Sequence, residues 1–515
     1  MIAILTRAYL RRSRWGLLAW VLLLGLLPAL MVVFTRAGYP TQADRDAFAH
    51  ESMANVSELA LRGPIFAAST GGLVAWTLAS SGSLVGAVVA LIFIVRYARS
   101  DEQAGRLELQ LAGRATRADQ LRAALLVVGG AGVAVGAVAF LDLIATGMPT
   151  GGSALLAVVL AASILFFTGV GAVCAQLATD PGVAGRLSAA VLGVFFVIAA
   201  IGDAIGSPIV WLSPFGWARH AQAFVADRYW VPLVPLVLAA ALGWLSLRLN
   251  RSRDYGCGLI PARRGRASAP GWLRGPLALA ARLQRGSVIG WAVALAFLGL
   301  MMGTVLASLD QQLAGTAFEE FARRHGGEVG EVFFQFVLYV LAQVATAAAL
   351  AAVLTLRTDE TSGLAEPVLA RPVTRARWSL AWALVAAGVG AIILLGLGLG
   401  GALGSGRWSL PLTTIAYLPA ILAMVGLALA LVGWIPRASI WVSWTVLGTL
   451  LLLDLFAEFN LLPAETIRLI SPFAATFAGL LTTGLDVPLV VLTALGLGLG
   501  ALGVAGIRRR DLELG

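Results

Sequence analysis

Asp101, Glu102, Gly105 and Glu108, with Arg117 close behind, recur in this chain as Asp359, Glu360, Gly363 and Glu366, with Arg375 close behind. The offset is constant at 258 (359 − 101), and each set lies between two long apolar runs. A polar segment repeated beside drifting apolar sequence marks an internal duplication. The last acid follows the second by six residues (108 − 102), so Glu102 and Glu108 can bracket about two helical turns. Gly105 and Gly363 permit close backbone approach, and Pro372 stops the element in the second copy. Such a pattern builds a short acidic helix beside Arg117 or Arg375, suited to docking in the groove of a partner. The plainer alternative is a solvated loop that caps two spans.

Other reactive residues are sparse. His50, His220 and His325 are scattered without metal-ligand spacing, and they read as solvated loop residues. Cys174 lies in an apolar run and Cys257 in a basic one, so a structural disulfide is not expected. All basic residues are Arg. Without Lys the chain cannot form a phosphate-binding G-x-x-x-x-G-K-[ST] loop, so ATP hydrolysis of that kind would belong to another chain. No H-E-x-x-H and no nucleophile elbow occurs, which argues against a membrane-embedded enzyme. Asp142, Asp203, Asp454 and Glu458 fall toward the outer ends of apolar runs, where an interfacial acid competes with an ion or proton path. Phe195, Phe196, Phe333, Phe336, Trp441 and Trp444 could line an apolar cavity, or simply pack or meet lipid.

The elements that must hold these residues are membrane helices. The chain is 59% hydrophobic and 12% charged, against roughly 25% charged in soluble domains. Runs of about 20 apolar residues, enough to cross a bilayer, recur along its whole length. The expected fold is an all-α polytopic membrane protein with twelve spans in two parallel six-helix repeats, related by a pseudo-two-fold axis along the membrane normal with a pathway between them. Residues 1–249 form the first half, 250–286 a basic cytoplasmic linker and 287–515 the second half. Within the first half, Ile2 to Arg14 reads as an interfacial helix or as the basic flank of a span from about Trp15 to Thr35. A short helix is expected around Asp44 to Leu61. Further anchors support the repeat, with Ser213-Pro-Phe215 matching Ser471-Pro-Phe473 and Arg253-Asp254 matching Arg510-Asp511. The arginine bias of the linker and of Arg508 to Arg510 places both termini, the linker and both acidic loops in the cytosol. No cleavable signal is expected.

Each acidic loop resembles the E-E-x-x-G-x-x-E-x-L-L-A-x-P-V-x-R stretch of type 2 ATP-binding-cassette permeases, and the Ser-Pro-Phe and Arg-Asp anchors resemble the same family. Overall the chain is similar to its double-length bacterial branch, described as exporters of polyketide antibiotics. That resemblance implies a bacterial cytoplasmic-membrane permease moving hydrophobic or amphiphilic compounds outward. It also implies coupling helices at Asp101, Glu102, Gly105 and Glu108 and at Asp359, Glu360, Gly363 and Glu366. Two copies of a separate nucleotide-binding ATPase subunit would dock there, carrying the ATP and Mg; this chain would bind no cofactor, no metal and no nucleic acid. The first copy departs from the pattern, with Gly113-Arg-Ala115 where the second has Arg371-Pro-Val373. The main rival is a proton-coupled secondary transporter, which also often has twelve spans in two repeats.

Overall fold

Backbone groups in hydrocarbon must be paired, and a continuous apolar run of about 20 residues achieves this within its own segment by forming a helix. A computed structural model describes residues 1–54, 56–103, 116–254, 256–260, 268–312, 329–458, 464–482 and 486–511, and no strand occurs among them. Eleven described helices are long and apolar enough to cross a membrane. The protein is an all-α polytopic membrane protein. The chain divides into two compact units, Met1–Gly265 and Arg266–Gly515.

Unit 1 contains α1 (Ile2–Gly38), α2 (Thr70–Ser100), α3 (Arg117–Ala145), α4 (Thr150–Leu177), α5 (Pro181–Ala204) and α6 (Leu233–Ser252). Its middle helix is α4, which packs against α2, α3, α5 and α6. The N-terminal residues do not form a separate interfacial helix, because helix runs unbroken from Ile2 to Gly25. Leu5, Tyr9, Leu17, Trp20 and Leu24 make its buried stripe, while Arg7, Arg11 and Arg14 are exposed. The basic residues are therefore the first turns of α1 itself. Beyond Leu26 the helix restarts with Pro28, and the amide of Ala29 donates to the Asp142 carboxylate of α3 at 2.6 Å. The expected short helix appears as Gln42–Ala54 and Val56–Arg62.

Both Ser-Pro-Phe anchors are helix starts. Ser213 caps Pro214–His220 by accepting from the Phe215 amide, and Pro occupies a first-turn position that has no amide partner to lose. Ser471 likewise accepts from the Ala474 amide ahead of Pro472–Thr482. Phe215 and Phe473 are buried.

Unit 2 contains α7 (Pro276–Gln312), α8 (Val329–Thr361), α9 (Arg375–Ser405), α10 (Leu418–Trp434), α11 (Ser439–Glu458) and α12 (Asp486–Arg509). In α11 the apolar part, Ser439–Asp454, is shorter than the others. Glycine decides how two pairs meet. A Cβ on Gly400 of α9 would lie 1.9 Å from the Ala296 carbonyl of α7, and one on Gly303 would lie 2.4 Å from the Gly401 carbonyl. Backbones thus touch directly along α7 and α9, the small-residue contact that lets helices associate where lipid supplies no hydrophobic drive. The pair α10 and α12 does the same through Gly426 against Gly496 and Gly433 against Gly503.

This packing makes a test. Gly400→Leu forces the α7–α9 pair apart, and overpacking of this kind costs about 1–3 kcal/mol. Gly388→Leu, on the same helix with nothing within 4 Å, is expected to leave the melting temperature of the purified chain near wild type. Equal melting of the two variants would show that the seam carries no stability.

Candidate functional site

The repeated acids sit where α2 and α8 end, and what surrounds them is basic. In unit 1 the Glu102 carboxylate is 5% exposed. The Arg253 guanidinium, from the end of α6, grips it through two parallel bonds, Nη1 to Oε1 at 2.9 Å and Nη2 to Oε2 at 2.6 Å. Arg99, one turn back on Glu102's own helix, adds Nη1 to Oε2 at 2.9 Å. The Gly256 amide donates to Oε1 at 2.9 Å.

The two arginines carry the contact further. Arg99 donates through Nε to the Ala175 carbonyl at 2.6 Å and through Nη2 to the Ala178 carbonyl, both at the end of α4. Those are carbonyls with no onward helical partner, and a cation there also meets the negative end of the helix dipole. Arg253 donates through Nε to the Gln176 side chain at 2.8 Å, which also accepts from Asn250 at 3.0 Å. Leu259 and Ile260 donate back to the Gln176 and Leu177 carbonyls at 3.1 and 2.9 Å. Part of the stretch expected as a linker is therefore a strap docked beneath α4. Arg117, opening α3, donates to the Arg253 carbonyl at 2.9 Å. Asp101 takes Arg12 of α1 at 2.6 Å. One carboxylate and its neighbours thus tie the ends of α1, α2, α3, α4 and α6.

Unit 2 repeats the centre of this knot. Arg510 grips Glu360 through Nη1 at 2.5 Å and Nη2 at 2.7 Å, and Arg357 lies 3.2 Å from Oε2. Arg375 donates to the Arg510 carbonyl at 2.6 Å, as Arg117 does to Arg253. The four residues stand at offsets of 258 (357 − 99, 360 − 102, 375 − 117) and 257 (510 − 253).

These positions correct one expectation. Glu102 and Glu360 do not face outward, and Glu360 is fully buried. An arginine three residues earlier, and another from the last helix of the same unit, have already neutralised each. The continuous acidic helix is corrected too, in the second copy. Helix α8 carries Asp359 and Glu360 in its final turn, and Gly363 stops it at φ +73°, a conformation glycine adopts without strain. Glu366 begins a separate short helix, Glu366–Leu369, with Pro367 in its first turn. Leu364, Glu366, Pro367, Arg371 and Pro372 are among the residues this loop offers to solvent. Gly105 and Glu108 lie outside the described residues.

The sequence reading did not pair Arg99, Arg253, Arg357 and Arg510 with the acids. The signal was present, since Arg99–Glu102 and Arg357–Glu360 have helical i,i+3 spacing and the Arg-Asp anchors were visible repeats. Among the aromatics, Phe195 packs on Phe166 and Phe167, Phe196 on Phe215, and Phe336 on Tyr339. Trp441 and Trp444 are exposed, and the side chain of Phe333 lies outside the described residues. Asp142, Asp203 and Asp454 are not free interfacial acids. Asp203 pairs with the buried Arg219, and Asp454 accepts from Gln343 at 3.0 Å and Ser471 at 2.8 Å. The Glu458 side chain lies outside the described residues.

Comparison with known proteins adds what geometry does not. The multidrug efflux system permease protein Rv1217c of Mycobacterium tuberculosis is 36% identical over 525 residues, covering 99% of this chain and 95% of the relative. The chain belongs to the Rv1217c family of multidrug efflux permeases. The family model for the Rv1217c C-terminal domain matches residues 273–508, from before α7 to the end of α12. Membership in the Rv1217c family makes this a transport subunit rather than an enzyme, and the eleven apolar helices make it multi-pass.

The knot has a pH signature. Burial alone would raise the Glu102 pKa, but the Arg253 hydrogen bond, the Gly256 amide and the two cations outweigh it, leaving the group below the usual carboxylate range. A depressed pKa stabilises the fold above the unfolded value of about 4.3 and loses that contribution as pH falls through the folded one. Glu102→Gln is therefore expected to melt well below wild type at pH 7, since stranding buried guanidinium groups costs about 3–5 kcal/mol. The gap should close as pH drops below about 4. A gap that stays constant across that range would remove Glu102 from the stabilising set.

Proposed function

We propose that this chain is the permease subunit of an ATP-driven exporter, moving hydrophobic or amphiphilic drug-like compounds out of the cell. The observation that carries the reading is the full-length relation to a multidrug efflux system permease, joined to a duplicated acidic loop at the ends of α2 and α8. Having no Lys, the chain has no P-loop of its own, so two copies of a nucleotide-binding ATPase subunit supply ATP and Mg. Each copy docks on one loop, with both chain termini on the same cytosolic side of a bacterial plasma membrane.

The knots refine how docking acts. In the second copy the partner meets Leu364, Glu366 and the Arg371-Pro372 corner, an apolar anchor with flanking charge and rigid backbone. Within unit 2, Glu360 and Arg375 stand behind that surface, both bonded to Arg510. They hold it to the helix ends, so a push on the loop reaches the last helix of its unit as well as the spans it connects. Energy from ATP closure then tilts a bundle whose cytosolic ends already move together.

The test is co-expression with a candidate P-loop ATPase subunit, followed by affinity purification and dye-efflux assays. Leu364→Asp with Glu366→Arg is expected to reduce ATPase recovery about tenfold or more, since a packed anchor contributes about 2 kcal/mol. Efflux should fall with it while the permease melts as wild type. Undiminished recovery would place docking elsewhere. Efflux that survives ATP depletion but stops when the proton gradient collapses would favour the proton-coupled reading.

A further inference from the structure

We propose that unit 2 holds a binding site for an anionic phospholipid, in the groove between α9, α10 and α12 with Arg508 at its mouth. The groove encloses about 400 Å³, inside the ~300–1,000 Å³ range of small-molecule sites. Its walls are aliphatic, including Leu384 of α9, Val425 and Leu429 of α10, and Leu497 and Val504 of α12. Arg508 is the one charged residue among the described residues that line it.

The groove exists because of how α10 and α12 meet. With Gly426 against Gly496 and Gly433 against Gly503, the two backbones touch and no large side chain stands between them. The floor beside that seam is lined by Gly496, Gly500 and Ala501, and α9 faces it with Ala383 and Ala387. Side chains are too small to close the space, and a Cβ built on Gly500 would meet nothing within 4 Å.

Length and charge select the occupant. Along α12 the lining runs from Gly496 to Arg508, which at 1.5 Å per residue is ~18 Å. Half of a ~30 Å hydrocarbon layer is ~15 Å, so the groove matches the acyl chain of one leaflet. Its mouth is cationic. Arg510, two residues on, is consumed by Glu360, whereas Arg508 is exposed and has no carboxylate partner among the described residues. A fixed cation above an apolar slot one leaflet deep suits a lipid with an anionic head on the arginine-rich side of the membrane. This site is independent of how the exporter is powered.

The experiment uses the full chain, purified in mild detergent and offered dioleoyl phosphatidylglycerol or phosphatidylcholine, with bound lipid per chain read by native mass spectrometry. Wild type is expected to retain phosphatidylglycerol about fivefold more tightly, the equivalent of about 1 kcal/mol for one arginine at a lipid surface. Arg508→Gln should erase the preference. Gly500→Leu should displace both lipids by filling the slot, while Gly498→Leu, equally uncrowded but outside the lining, should bind as wild type. Leu is a better helix former than Gly, which favours folding of both variants; should Gly500→Leu fail to fold, Arg508→Gln alone decides. Equal retention of the two lipids, an unchanged preference in Arg508→Gln, or wild-type binding by Gly500→Leu would each overturn the proposal.

Discussion

A carboxylate taken out of water must be matched by cations and amide donors, and the end of each unit that carries the duplicated acids is arranged around that requirement. Glu102 is satisfied from its own helix, from the end of α6 and from the strap beyond it; Glu360 is satisfied by Arg357 and by the end of α12. Bidentate arginine contacts fix direction as well as distance, so each carboxylate sets where the last helix of its unit ends relative to the second. In unit 1 the knot also reaches α4. Arg99 continues into the carbonyls of α4, and Arg253 into Gln176. At the end of α10 in unit 2, the Trp434 indole donates to the Leu502 carbonyl of α12 at 3.0 Å. The first knot thus gathers α4 by charge, and in unit 2 α10 meets α12 backbone to backbone.

Much of this was legible in the chain, and the reasons are physical. Long continuous apolar runs pair their own backbone in a bilayer by forming helices, so class and approximate span positions followed from composition alone. The Ser-Pro-Phe anchors were visible because a helix start needs a capping hydroxyl and tolerates proline just after it. Charge was harder to read. An acid in a loop between spans looks solvated unless its partners are known, and Arg253 lies far along the chain from Glu102. Helical spacing gave one partner, Arg99, while the other needed the fold. Asp203 misled for the same reason, its partner Arg219 lying beyond the 3₁₀ turn Pro208–Leu212. Where α8 ends was partly readable, since Gly363 is the kind of residue that stops a helix, yet the duplicate acids suggested continuity across it. The aromatics gave no periodic signal separating a cavity wall from a core, and Phe195 and Phe196 pack inside unit 1.

The glycine seams of unit 2 bear on how that unit can deform. Where α7 meets α9, and α10 meets α12, main chain rests on main chain with no rotamers between. Side-chain interfaces yield by repacking, but such a seam has nothing to repack and cannot be squeezed closer. Each pair therefore behaves as a single stave under the lateral pressure of the bilayer. Changes in membrane tension or thickness must be absorbed where staves meet through side chains, along α8 and in the slot beside α9, which makes those contacts the compliant part of the unit.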